Sequence, residues 1–401
     1  MSAKNCATSP NAVSYLWCIP YNLHRTHFDY LTVPNPVLPI TLARQSRLAD
    51  ADFNNLGFGD VFADHMFSCE YSNGRWQDAQ IVPYGPISME PGALCLHYGQ
   101  AVFEGLKAFK GVDGISRVFR PDKNADRLQQ SCERLCIPAI DKELFCSAIE
   151  QLVAVDEKWL PSRRGESLYI RPLIFATESN LVVKAADRYL FLIITAPVQE
   201  YFSRQGGGVS LRAEPKYTRA AMGGTGFAKT GGNYAATLRP GTDSVEQGFD
   251  QTLWLDGRDH SYVEEVGQMN IFFRVGDTFV TPPLKGTILP GVTRDSVLTL
   301  LEDRGEKFEE RRISMEEVIA AYDTGALKEV FGAGTASVIA PVSRIAYGDT
   351  TLTFDAAPHS LASKWLYESI VDIQTGAAAD IHGWNRIVAT SQSAGQTMTG
   401  S

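Results

Sequence analysis

Residues 221–234, AMGGTGFAKTGGNY, crowd five glycines around a single lysine, Lys229, near the middle of a 401-residue chain. Glycine at that density suits neither a helix interior nor a strand interior, because each one loses backbone freedom on folding and supplies no side chain to pack. It suits a place where backbone must approach something closely. An amine held among Met222, Phe227 and Ala228 has its charged form disfavoured by desolvation, which lowers its pKa from about 10.4 toward the range of a nucleophile and base.

Three uses compete for this segment. A surface loop with a solvated lysine is the commonest for an arbitrary Gly-rich run. A phosphate-binding P-loop has one Gly six residues before its lysine and another directly before it. Gly223 fits the first place, but Ala228 stands at the second, and the preceding residues 212–219 make a poor buried strand. The third use is a Schiff-base lysine for an aldehyde cofactor, whose other parts the rest of the chain must supply.

The chain is long enough for two or three domains with substantial cores. Apolar residues at 44% and charged ones at 21% describe a soluble globular enzyme or binding protein. A net charge of −9 argues against non-specific binding to nucleic acid or acidic membranes, though not against small anionic substrates held by local groups. Seven cysteines with no close pair backed by a second pair signal neither a zinc site nor a disulfide framework, so no metal is expected and a reducing compartment is. No apolar run approaches the ~20 residues of a membrane span. Residues 1–28 lack acids but hold only Lys4 and Arg25 as strong bases, so the cytoplasm is expected, with mitochondrial import as the alternative.

Outward from the lysine, residues 62–71 and 79–84 form a predicted hairpin about Asn73-Gly74. Residues 106–110 and 117–120 form another. Pro121-Asp122 opens a helix with Asp122 as its cap; Leu128, Cys132 and Leu135 mark its buried face, and Cys132 and Cys136 share one side. Spacing alone puts Arg127 at the surface. A helix over 143–159 precedes the strands 167–175 and 189–195, the latter apolar on both faces and therefore central. Arg171 inside the first of these is anomalous, since a buried Arg needs an anion, either a structural carboxylate or a ligand. Residues 197–208 have linker character. Strand-like pieces follow at 251–256, 262–266, 269–275 and 278–280. Glu264 and Glu265 are adjacent on a strand, so one is expected inside and the other in solvent. Pro290-Gly291 before a helix leaves N–H groups for an anion. Ser314 and Glu317 form a capping box, and residues 329–337 a strand ending in a second Gly-rich loop.

Lys229 with Gly231-Gly232-Asn233-Tyr234, Glu264-Glu265-Val266-Gly267 with Met269-Asn270, residues 289–294 (LPGVTR) and Gly334-Thr335-Ala336 resemble, in order and spacing, the branched-chain-amino-acid aminotransferases. These are class-IV, fold-type-IV pyridoxal-phosphate enzymes, and the resemblance runs from about Phe58 to Trp384. It implies an α/β (α+β) fold of two domains with the cofactor cleft between them, and a homodimer. The divisions expected are an N-terminal arm at 1–50, a smaller sheet-plus-helices domain at 51–196, a linker at 197–208, a larger cofactor-binding domain at 209–386 and a disordered tail at 387–401.

The same resemblance implies that Lys229 holds pyridoxal 5'-phosphate and carries the proton, that Glu265 faces the ring nitrogen and that Tyr234 meets the ring's phenolic oxygen. Arg127, Val292, Thr293 and Thr335 would meet the phosphate. Phe58, Tyr98, Phe103, Tyr169 and Tyr201 would wall the substrate pocket, Arg171 would receive the distal carboxylate of glutamate, and Thr335 and Ala336 the α-carboxylate. The activity implied is transamination between a branched-chain L-amino acid and 2-oxoglutarate, as in the biosynthesis of leucine, isoleucine and valine. Gln268 stands where many members have a small residue or Thr, which favours as a rival a specialised paralogue acting on an unusual hydrophobic 2-oxo acid. A catalytically silent binding homologue is the rival from another class. Ser337-Val338-Ile339-Ala340 replaces the Cys pair of mammalian members, so thiol regulation there is not expected.

Overall fold

The computed structural model describes residues 37–199, 208–354 and 361–389. The expected N-terminal arm up to residue 36, most of the linker, Tyr201 and the tail from residue 390 lie outside the described residues; where the linker and tail are described they begin later than expected, because Pro197 and Val198 are paired in a strand, Ile387 ends another and Val388 is buried.

In chain order, β1 (His65–Ser72) and β2 (Arg75–Pro83) form the predicted hairpin, with Asn73 and Gly74 both at positive φ. A short helix α1 (Leu94–Tyr98) leads to β3 (Ala101–Phe103), β4 (Leu106–Lys110) and β5 (Ser116–Phe119). Helices α2 (Pro121–Arg134) and α3 (Lys142–Val155) follow, then the long strands β6 (Ser167–Ala176) and β7 (Tyr189–Val198). Beyond the linker come β8 (Val209–Ala213), α4 (Gly231–Ala235), α5 (Leu238–Glu246), β9 (Gln251–Leu255), β10 (Val263–Val266), β11 (Asn270–Val275) and β12 (Thr278–Thr281). The remainder is α6 (Val292–Asp303), β13 (Lys307–Glu310), α7 (Met315–Asp323), β14 (Leu327–Gly334), β15 (Val338–Tyr347), β16 (Thr350–Thr353), α8 (Ala362–Thr375) and β17 (Asn385–Ile387).

These strands make two sheets. The first runs β17-β5-β4-β6-β7-β1-β2 with β3 beside β6, and β7 is interior as its two apolar faces require. The second runs β10-β9-β8-β15-β14-β11-β12-β13 with β16 on β15. Each sheet buries one face on its own core. Leu128 and Cys132 of α2 and Phe145, Ile149 and Leu152 of α3 cover the first, each large side chain contributing about 1.5–3 kcal/mol. Met315, Val318 and Ala321 of α7 cover the second.

Side-chain alternation gives the second sheet another apolar face. Along β11, Ile271 and Phe273 enter the α7 core, while Phe272 enters a third cluster with Phe331, α6 and α8. Phe109 and Phe119 of the first sheet join that third cluster. The two sheets are thus held together by shared aromatic packing, and the Gly-rich loops meet beside it. Residues 385–387, at the end of the second half, return to pair with β5 of the first sheet.

Four local expectations are corrected. The residue preceding α2 is Arg120, at φ 49, with Pro121 at the first helical position, so Asp122 lies in the first turn rather than capping it. That helix ends at Arg134, before Pro138, and Cys136 is exposed at φ 53 instead of sharing a face with buried Cys132. Arg127 is buried, because the carboxylate of Glu104 meets it. Glu264 and Glu265 are both buried, at 8% and 4% exposure, because β10 changes register against β9 between Val263 and Glu265.

Candidate active site

The Lys229 loop owes its shape to close backbone approach. A Cβ on Gly226 would lie 2.3 Å from the Thr287 carbonyl oxygen, so only glycine fits there. Asn233 fastens the loop from within: its Nδ2 donates to the carbonyls of Thr225 and Ala228, each at 2.8 Å. From α2, Ser131 Oγ accepts from Lys229 N at 2.9 Å, and from β3 Phe103 N donates to Lys229 O at 3.0 Å. The lysine backbone is therefore clamped between elements of both halves.

Its amine opens on a cavity of about 310 Å³. Lys229 Nζ donates to the Tyr234 hydroxyl at 2.7 Å and lies 4.8 Å from the Phe103 ring centre. Burial, and next the charge of Arg127, bring the amine down to about 8, while Glu104 acts in the opposite direction. Burial pushes the Tyr234 hydroxyl up to about 12.

Arg127 is held by Glu104, a fully buried carboxylate that accepts from its Nε and Nη2 at 2.7 Å each. Asn124 Nδ2 adds a bond to Glu104 at 2.7 Å, and Arg127 Nη1 donates to the Pro290 carbonyl at 3.0 Å. Burial alone would raise the Glu104 carboxyl, but the Arg127 charge and hydrogen bonds hold it below its ordinary value. Val292 and Thr293 line the cavity at the start of α6, where the Gly291 N-cap has no side-chain capping bond. Thr335 Oγ1 donates to the Gly105 carbonyl at 3.2 Å, and Ala336 lies beside it in the lining.

Glu265 lies in a smaller recess shared with Tyr234, Gln268, Met269 and Asn270. It is ion-paired with Arg219 and accepts from Leu289 N at 3.2 Å. Burial raises its pKa, against the Arg219 charge. Aromatic side chains form another wall: the Phe58 and Tyr169 rings meet edge to face at 5.0 Å, and Phe103 meets Tyr234 at 4.9 Å. Arg171 lies between them, 4.9 Å from the Phe103 ring centre, and donates to the Tyr169 hydroxyl at 3.0 Å. No carboxylate pairs with Arg171 among the described residues, and its buried Nε has no hydrogen-bond partner.

The structure thus gathers Lys229, Arg127, Tyr234, Glu265, Val292, Thr293, Thr335, Ala336, Phe58, Phe103, Tyr169, Arg171 and Gln268 at one cleft. It does not gather Tyr98, which is 44% exposed and donates to the Leu181 carbonyl at 2.5 Å, and Tyr201 lies outside the described residues. Sequence reasoning missed Glu104, Arg219 and Gln251, the last a cavity-lining residue. The one available signal was Glu104 standing alone among apolar neighbours in residues 101–106 (AVFEGL).

An anion cradle, a depressed amine and a buried acid next to a cavity of this size fit pyridoxal phosphate, which presents a phosphate, an aldehyde and a ring nitrogen. A family profile, amino-transferase class IV, matches residues 101–345. The branched-chain-amino-acid aminotransferase 2 of Bacillus subtilis is 49% identical over 339 residues, covering 84% of this chain and 93% of that one. The branched-chain-amino-acid aminotransferase of Mycolicibacterium smegmatis is 46% identical over 337 residues, covering 82% and 91%. Among solved structures, the branched-chain aminotransferase of the archaeon Thermoproteus uzoniensis with norvaline shares the fold, with a TM-score of 0.67 at 23% identity, covering 80% of this chain and 100% of that one. The Escherichia coli branched-chain amino acid aminotransferase shares it too, with a TM-score of 0.66 at 24% identity over 81% and 99%. With well over half of its length inside the profile and relatives this similar along most of it, the chain belongs to the class IV amino-transferase family, on the branch of the branched-chain-amino-acid aminotransferases.

Proposed function

We propose that this chain transfers the amino group of a branched-chain L-amino acid to 2-oxoglutarate, in two half-reactions that share one site. Pyridoxal phosphate, when bound, supplies the aldehyde that takes up the amino group and a ring that delocalises electrons. The observation that carries the proposal is the Lys229 amine, depressed to about 8, facing a cavity with Arg127 and the start of α6 on its lining.

Lys229 would bind the cofactor and, once released, move the proton from the substrate Cα. Glu265, positioned by Arg219, would hold a proton at the ring nitrogen, and Tyr234 would bond the phenolic oxygen. Arg127, Val292, Thr293 and Thr335 would bind the phosphate. Phe58, Phe103 and Tyr169 would exclude water from an aliphatic side chain, worth about 0.8 kcal/mol per buried methylene. Arg171, with its unpartnered Nε, would receive the distal carboxylate of glutamate. Thr335 and Ala336 would bind the α-carboxylate through their amides.

The active unit would be a homodimer, supported by apolar surface uncovered in one chain: Leu181, Val182 and Val183 are 70%, 62% and 77% exposed beside Tyr98. That surface supports a place for Tyr98 in an assembled pocket, and Tyr201 is proposed to join it from the resemblance alone. Apart from β17, which returns to the first sheet, the strands before and after the linker fall into separate sheets, which supports the proposed domain division, and bacterial relatives support a cytoplasmic location. Gln268 and Gln251 both line the cavity, and these two amides favour, as a second reading, a more polar or unusual substrate.

Rates on leucine, isoleucine, valine and phenylalanine with 2-oxoglutarate test the proposal. The three aliphatic substrates should be the fastest, with activity and the yellow colour of the bound cofactor lost in Lys229→Ala. Poor turnover of all three would refute it.

A further inference from the structure

Glu264 opens on a second cavity, of about 610 Å³, that shares no lining residue with the one around Lys229. Its side chain is buried, and Oε2 has no hydrogen-bond partner among the described residues. Burying a carboxylate oxygen without a partner is costly, and transamination makes no use of this one. Burial pushes its pKa up to about 7; Glu265 and Asp256 act in the same direction, and the Thr287 hydrogen bond and Arg219 act against it.

The other charges at this cavity are Asp256, Arg258, Lys285 and Arg312. Asp256 is already engaged, accepting from Ser261 N at 3.0 Å and Tyr262 N at 2.9 Å and lying 3.4 Å from Arg312. Glu264 is therefore the open anion, buried in the lining. Arg258, Lys285 and Arg312 are exposed cations, with the Arg312 guanidinium 3.5 Å from the Tyr262 ring centre. Val263, Pro282 and Ile288 supply buried apolar wall.

A simple cation would satisfy Glu264 but be repelled by three basic side chains, and a simple anion would meet the reverse. We propose that this cavity binds an apolar amino acid as its zwitterion, with the ammonium on Glu264, the carboxylate toward Arg312 and Lys285, and the side chain against the apolar wall. This is a site separate from the catalytic one, and it stands whether or not the proposed reaction is right.

Calorimetric titration of L-leucine into the cofactor-loaded protein tests it, after a first exposure to leucine and desalting so that no aldehyde is left in the catalytic cleft. Saturable binding of one leucine per chain is expected at pH 8. It should weaken at least tenfold in Glu264→Gln and severalfold in Arg312→Ala, an exposed position whose loss leaves the transamination rate unchanged. It should also weaken at pH 6, where Glu264 takes up a proton. If Glu264→Gln fails to fold, Arg312→Ala and Met222→Trp, which narrows the mouth, carry the test. Absence of saturable binding, or the same affinity in wild type and variants, would overturn the proposal. Failure of leucine to change the cofactor's colour in the first step would instead count against the proposed reaction and leave this titration readable on the protein as purified.

Discussion

Replacing Glu104 by Gln keeps the shape of the side chain and removes the charge that anchors Arg127. One carboxylate oxygen accepts from Arg127 Nε, the other from Arg127 Nη2 and Asn124, all at 2.7 Å. An amide nitrogen at either place points a donor at a donor. Hydrogen bonds to charged groups are worth about 1.5–3 kcal/mol each, and breaking a buried ion pair costs about 3–5 kcal/mol. Glu104→Gln should therefore lower the unfolding free energy by about 3–5 kcal/mol in a urea titration followed by tryptophan fluorescence. With side-chain exposures of 7% and 0%, the pair is beyond the reach of salt, so the loss should be the same at low and high NaCl. The Glu104 carboxyl is held below its ordinary value of 4.5, so its stabilisation is present above that pH and lost as pH falls through the lower folded value. The gap between wild type and variant should close in acid accordingly. As a contrast, Glu317→Gln, which breaks the half-exposed Arg311 pair, should cost under about 1 kcal/mol. A loss below about 1 kcal/mol in Glu104→Gln, or one halved by salt, would refute the reasoning.

Reconstitution of cofactor-free protein needs the neutral Lys229 amine, so its rate should rise with pH through about 8 rather than through the ordinary lysine value of 10.5; stopped-flow absorbance reads it. Arg171→Met should raise KM for 2-oxoglutarate by about 10–100-fold while changing the leucine half-reaction under about threefold, as expected from losing a charged hydrogen bond to one substrate only. Asn233→Ala leaves the Thr225 and Ala228 carbonyls without their donor and should cost about 2–4 kcal/mol, seen in urea, with faster proteolysis of the loop at 221–230.

The parts of the site legible in the sequence were those whose signal is local. The glycine-flanked lysine, the Pro-Gly turn before α6 and the alternation along β11 each declare themselves within a few residues. What was illegible depends on partners far along the chain. Arg127 looked like surface because its carboxylate lies 23 residues away, on a different element. Arg219 gave no sign that it would face Glu265. The paired acids of β10 were misjudged because alternation assumes an unbroken ladder, and the register changes between Val263 and Glu265. β17 is three residues long, too short for any period to register.

The return of β17 to the first sheet ties manufacture to competence. Trp384 accepts from Arg120 N at 2.7 Å, and the Arg120 guanidinium, 4.9 Å from the Trp384 ring, also reaches Ser296 on α6 at 2.7 Å. During synthesis the β5 edge must therefore wait, unpaired and open to stray strands, until some of the last-made part of the fold leaves the ribosome. The same arrival that seals this edge also braces the helix at the anion cradle, so a nascent chain stopped short of residue 384 would carry both an aggregation hazard and an unsupported catalytic cleft.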